Sequence, residues 1–194
     1  KARVSGGVLR VRGDVFGNGL VIEAGDGPGS YRISGLGATT INRQFGTAHF
    51  VGATQGIQIG LLGGPDVLVL DGTSAELVVS GKLRIRSGTS STAIIDRALS
   101  LFDDHDIVAI VDALLESGLS VKLRRGSDDL TLCGVEALDR VRTGEGLGPD
   151  TLTVDDSVFD SRYNSGVGVG QDVISIEQHG NVDGPTTEFH GKTK

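Results

Sequence analysis

The chain has 194 residues, 31 of them glycine, and a formal net charge of -7. Glycine at more than twice its usual share of about 7 % demands turns at high density, and the acidic balance argues against the clustered Lys and Arg of a phosphate-binding surface, so nucleic acid is not an expected partner. Apolar runs fall well short of the roughly 18 residues of a membrane span, so no membrane insertion is expected.

Aromatic residues are only 4 % of the chain and Trp is absent, so Val, Leu and Ile must build the core. In chain order, Gly7-Val8-Leu9-Arg10-Val11, Leu20-Val21-Ile22, Tyr31-Arg32-Ile33, Ile57-Gln58-Ile59, Leu77-Val78-Val79 and Leu83-Arg84-Ile85 read as short strands. Gly, Asp, Ser or Pro separates them, as tight turns require. Residues 1–95 are read as irregular coils. Over 96–118 a helical insertion is expected: Ile107, Val108, Ile110, Val111, Leu114 and Leu115 recur at helical spacing, with Asp103 or Asp104 as N-cap and Gly118 as the stop. A strand over Ile107-Val108-Ala109-Ile110 competes with that helix, because Asp106 precedes Asp128 by one repeat length. Regular coils follow over 119–178. A tail over 179–194 loses the alternation and reads as a loop or linker.

That repeat length comes from four segments that superimpose without gaps. They are Gly64-Pro65-Asp66-Val67-Leu68-Val69-Leu70, Gly126-Ser127-Asp128-Asp129-Leu130-Thr131-Leu132, Gly148-Pro149-Asp150-Thr151-Leu152-Thr153-Val154 and Gly170-Gln171-Asp172-Val173-Ile174-Ser175-Ile176. Their aspartates are separated by 62, 22 and 22 positions. Each unit opens on a glycine turn and closes on a period-2 alternation, the mark of a strand with one buried face. Turn, strand, turn, strand over 22 residues describes one coil of a solenoid whose aliphatic residues stack, as Leu130, Leu152 and Ile174 would. The expected fold is therefore all-β, a single right-handed parallel β-solenoid (β-helix) with coils of about 22 residues and one helical insertion. An antiparallel sandwich of the same strands is the competing reading.

Stacking would bring the aspartates of successive coils within about 5 Å of one another, an arrangement that repels unless compensated. Backbone N–H groups of the turns can supply that compensation, a structural role, and so can Ca²⁺ held by carboxylates and turn carbonyls. The Gly146-Leu147-Gly148-Pro149-Asp150-Thr151-Leu152 and Gly168-Val169-Gly170-Gln171-Asp172-Val173-Ile174 units resemble the Gly-x-Gly-x-Asp-x-aliphatic core of hemolysin-type (RTX) calcium-binding repeats. They are more similar still to the RTX-like coils of very large secreted or surface bacterial proteins. The resemblance spans Gly56 to Ile176. It implies Ca²⁺ at the turns of Asp66, Asp128, Asp150 and Asp172, and a secreted or cell-surface location. Leu62 and Arg124 stand where that family has its first glycine, so only the last two units keep the full motif.

No catalytic constellation stands out. His49, His105, His179 and His190 share no metal-ligand spacing. The pairs Asp103-Asp104, Asp128-Asp129 and Asp155-Asp156 resemble the paired acids of β-helical polysaccharide lyases and hydrolases, yet adjacent strand residues point to opposite faces. Cys133 lies in an apolar run and reads as a buried spectator. Thr151 and Thr153 form a Thr-x-Thr pair that neighbouring units do not continue into an ice-binding array. A chain that starts at Lys1 and contains no Met reads as a segment of a longer precursor. The functional expectation is a non-enzymatic, extracellular structural protein that self-associates through open solenoid ends into filaments. A calcium-dependent adhesin engaging cell-surface glycans and a carbohydrate-active β-helix are the alternatives.

Overall fold

The computed structural model describes residues 1–87, 105–166, 168, 170–177 and 188–189. Five strands occupy the amino end: β1 (Ala2–Ser5), β2 (Val8–Arg12), β3 (Gly19–Ala24), β4 (Tyr31–Gly35) and β5 (Thr47–Phe50). Strands then arrive in threes. The first trio is β6 (Gly56–Gly60), β7 (Val67–Asp71) and β8 (Leu77–Val79), and the second is β9 (Lys82–Arg86), β10 (Ile107–Val111) and β11 (Ala113–Leu115). The next two are β12 (Leu119–Lys122), β13 (Asp129–Cys133), β14 (Glu136–Ala137), then β15 (Val141–Gly144), β16 (Thr151–Asp155), β17 (Val158–Phe159). β18 (Tyr163–Gly166), β19 (Val173–Glu177) and β20 (Glu188–Phe189) complete the chain.

These strands form three sheets. The first runs β1-β2-β6-β9-β12-β15-β18-β20, the second β19-β16-β13-β10-β7-β3-β4-β5, and the third β17-β14-β11-β8. In β2, β3, β7, β9, β13 and β16 residues alternate between buried and exposed or half-buried positions, so each strand turns one face inward. In the second sheet Leu20, Leu68, Val108, Leu130, Leu152 and Ile174 align rung by rung. All but Ile174 are buried. Each such aliphatic side chain contributes roughly 1.5–3 kcal/mol, and no unit could secure that burial alone.

The expectation of one right-handed parallel solenoid stack with a helical insertion is corrected on two points. The sheets are three and mixed: β1–β2, β3–β4 and β4–β5 pair antiparallel, whereas the remaining ladders are parallel. Glycine chemistry accounts for the reversals. Gly6 and Gly7 have φ of 57° and 69°, the left-handed pair that closes a two-residue hairpin between β1 and β2. The Gly25-Asp26-Gly27-Pro28-Gly29 run turns β3 back onto β4, with Gly25 N–H donating to Ser30 O at 2.8 Å.

The second correction is that no described residue is helical. Of the expected helix, residues 96–104, with the Asp103 and Asp104 caps, lie outside the described residues. The rest forms β10 and β11, joined through Asp112 at φ 48°. β10 pairs with β7 on one side and β13 on the other, in the register Val108↔Leu68 and Val108↔Leu130. Two waiting ladders and a β-branched composition overrode the helical spacing. The tail beyond Glu177 lies outside the described residues except β20, which pairs with β18.

Candidate functional site

The repeated Gly-x-Asp turns sit at the corner between the first and second sheets, just before the strands of the second sheet. Glycine is required there by close approach: at Gly148, φ 137°, a Cβ would land on the carbonyl oxygen of Gly126 in the preceding repeat. The chain therefore packs tightly enough for each aspartate to reach its neighbour's backbone.

The result is a continuous ladder. Asp66 N–H donates to Asp106 Oδ1 at 3.2 Å, Asp106 N–H to Asp128 Oδ1 at 3.0 Å, Asp128 N–H to Asp150 Oδ1 at 3.0 Å, and Asp150 N–H to Asp172 Oδ1 at 3.2 Å. Asn18 is its first rung, donating both its backbone N–H, at 2.7 Å, and its side-chain amide, at 3.0 Å, to Asp66 Oδ1. Asp66, Asp106, Asp128 and Asp150 are buried and Asp172 is half-buried. Each Oδ1 thus accepts the amide of the ladder residue one rung earlier in the chain, Asn18 for Asp66 and an aspartate for the others.

Packing carboxyls into one interior column has an electrostatic consequence. Burial pushes Asp106 up to about 7, helped by the charges of Asp128 and Asp66 and opposed by hydrogen bonds from the Ser87 hydroxyl and the Asp66 amide. Glu145, fully buried, is likewise raised to about 7, chiefly by desolvation. Its own amide and the Thr143 hydroxyl hold it down, while Asp150 and Asp172 push it up.

Five of these participants, Asn18, Ser87, Asp106, Thr143 and Glu145, were not among the expected site residues. Asn18 had a signal, since Gly19-Leu20-Val21-Ile22 after it matches the alternation after Asp66. Asp106 had the 22-residue interval to Asp128. Ser87, Thr143 and Glu145 had none, because they lie outside the repeated motif.

The four expected calcium ligands, Asp66, Asp128, Asp150 and Asp172, all stand in this ladder. In it the Oδ1 atoms of Asp66, Asp128, Asp150 and Asp172 each accept a backbone amide, and among the described residues there is no group of three His, Cys, Asp or Glu that could hold a metal ion. Elsewhere, His105 Nε2 lies 3.0 Å from Asp129 Oδ2 on the exposed surface, and His49 is exposed. His179, His190, Asp103 and Asp104 lie outside the described residues. Asp128 is buried whereas Asp129 is half-buried, so this pair divides between faces. Cys133 is half-buried on the outer face of the second sheet, not interior, with Sγ 3.9 Å from Asp155 Oδ2. Burial and nearby carboxylates raise its thiol pKa, which disfavours the nucleophilic thiolate.

The two ends of the molecule differ. At the amino end, antiparallel β1, β4 and β5 flank the parallel ladders, and Tyr31 on β4 is buried with its hydroxyl donating to Val78 O at 2.9 Å. At the other end, among the described residues, the second sheet finishes on β19, which pairs with β16. Val173, Ile174 and Ile176 on that strand are 57 %, 36 % and 41 % exposed, although Leu152 and Val154, their counterparts on β16, are buried. In comparisons with known proteins, no family model, no curated protein and no solved structure matches the chain.

Proposed function

We propose that the chain is a non-enzymatic structural module that self-associates through the edge of its second sheet at β19. The observation that carries this reading is the apolar, parallel-register edge itself, with Ile174 and Ile176 exposed at positions that β16 buries. An unpaired strand edge offers a row of backbone donors and acceptors to another chain, and exposed aliphatics add a hydrophobic incentive to pair. The occupant is a second copy of this chain. Pairing of like ends gives a closed dimer, and pairing of β19 with the amino-terminal edge gives end-to-end filaments. A secreted or cell-surface setting accompanies this proposal on the strength of the repeat resemblance alone.

Sedimentation velocity over a wide concentration range tests it. The wild-type chain is expected to move from monomer to dimer or longer species as concentration rises, and an Ile174→Glu, Ile176→Glu double variant is expected to remain monomeric with an unchanged circular dichroism spectrum. A wild-type chain that stays monomeric throughout would refute the proposal.

A further inference from the structure

The net charge of -7 conceals a division by face. Strand alternation sends every second residue of the first sheet outward, and the ladder register aligns those residues into rows. One row reads Arg3, Arg10, Gln58, Arg84, Ser120, Arg142, Asn164 across β1, β2, β6, β9, β12, β15 and β18. A second row reads Arg12, Gly60, Arg86, Lys122. All of these Arg and Lys residues are exposed. On the outward positions of the second sheet a row instead reads Glu23, Asp71, Val111, Cys133, Asp155, Glu177.

We propose that the outer face of the first sheet binds an extended anionic polysaccharide of the polyuronate class. This does not rest on self-association, which uses a different edge. From Arg10 onward the first row alternates cation and neutral hydrogen-bonding side chain: Arg10, Gln58, Arg84, Ser120, Arg142, Asn164. Strands lie about 4.8 Å apart, so cations recur roughly every 9.6 Å with a hydroxyl or amide between them. Such a row suits a linear polymer that presents carboxylates at intervals with hydroxyls between. Guanidinium groups match carboxylates fork to fork.

The cations are also available. Among the described residues the ion pairs are Arg32–Glu23 and His105–Asp129, both on the second sheet's side. The row's own hydrogen bond, Arg10 to Gln58, leaves the guanidinium charged. Gly60, with open space where a Cβ would stand, interrupts the second row between Arg12 and Arg86. It leaves a shallow depression of about 320 Å³ bordered by Arg10, Arg12, Arg84 and Arg86.

Nucleic acid fits this face less well. Single strands are held by aromatic stacking platforms, and no strand side chain described on this outer face is aromatic. A duplex carries phosphates about every 3.4 Å along each strand, far denser than the cation row.

Isothermal titration of the full chain with polygalacturonate at low salt, against neutral dextran, oligothymidylate and phosphatidylserine vesicles, decides the matter. Polygalacturonate is expected to bind, with affinity falling as NaCl rises. An Arg84→Gln, Arg142→Gln variant is expected to lose about tenfold or more, because charge-assisted hydrogen bonds are removed, whereas Arg32→Gln on the other sheet leaves affinity unchanged. Thermal melts establish that each variant folds, and Arg10→Gln replaces the double variant if it does not. Absence of polygalacturonate binding, equal binding by the Arg84 and Arg142 variant, or tighter binding of oligothymidylate or vesicles overturns the proposal.

Discussion

Asp106 and Glu145 carry the clearest pH dependence of individual residues. Both have folded pKa values near 7, above their ordinary carboxyl values, because burial penalises the charged form. A carboxyl whose folded pKa is raised adds stability that is fully present below its unfolded pKa, about 4, and is lost as pH rises through its folded pKa. Between about pH 5 and pH 8 the melting temperature is therefore expected to fall, and Asp106→Asn and Glu145→Gln each to flatten that decline. Asp71 works in the opposite sense, its carboxylate held low by hydrogen bonds from Thr73, but its contribution is lost only on the acid side of its ordinary value. Melting curves that do not vary across this window, or variants that leave the slope unchanged, would contradict the assignment.

Asp150 separates the structural ladder from calcium binding. Asparagine keeps an acceptor for the Asp128 amide, as alanine does not, and an orphaned buried amide costs about 1–3 kcal/mol. For a domain of this size, that places Asp150→Ala roughly 2–10 °C below Asp150→Asn. The gap is expected to be the same in calcium and in EDTA, with the wild-type melt unmoved by the chelator. A chelator-dependent melt with both variants equally affected would instead support bound calcium.

Among elements, position in the ladder sets local stability. Among the described residues β10 is bonded on both sides, by β7 and β13, whereas β19 is bonded on one side by β16. Elements with fewer buried contacts open at lower free energy. Hydrogen exchange at low protein concentration is expected to release the amides of Ile174 and Ile176 well before those of Leu130 and Leu132, and uniform protection would count against this gradient. The element that the sequence left ambiguous, residues 105–118, shows how such ties are broken. Its aliphatic residues satisfy helical spacing and strand alternation together, but Ile107, Val108, Ile110 and Val111 are β-branched, and ladders at Val67–Asp71 and Asp129–Cys133 supply partners for every rung. The hairpins of the amino end depended on glycine pairs such as Gly6-Gly7, a local signal that does not reveal which neighbouring strand the returning strand will meet.

At the scale of the whole molecule, charge and termination are both asymmetric. An acidic chain aligns Arg3, Arg10, Arg12, Arg84, Arg86, Lys122 and Arg142 on the outer face of one sheet, and among the described residues a sheet flanked by antiparallel strands at one end stops at a parallel strand at the other. Composition reports only the sum of the charges, so the basic face was invisible until register aligned Arg10, Arg84 and Arg142. The sequence by itself determined what is local: the 22-residue unit, the turn at each Gly-x-Asp, and which residues of a strand face inward, because side-chain alternation and glycine conformation act over a few residues. Only the tertiary structure decided what is shared between repeats. Asn18 meets Asp66 across 48 positions and Asp66 meets Asp106 across 40, intervals that no fixed period yields, since loops of any length can intervene provided the strands they join align in the ladder.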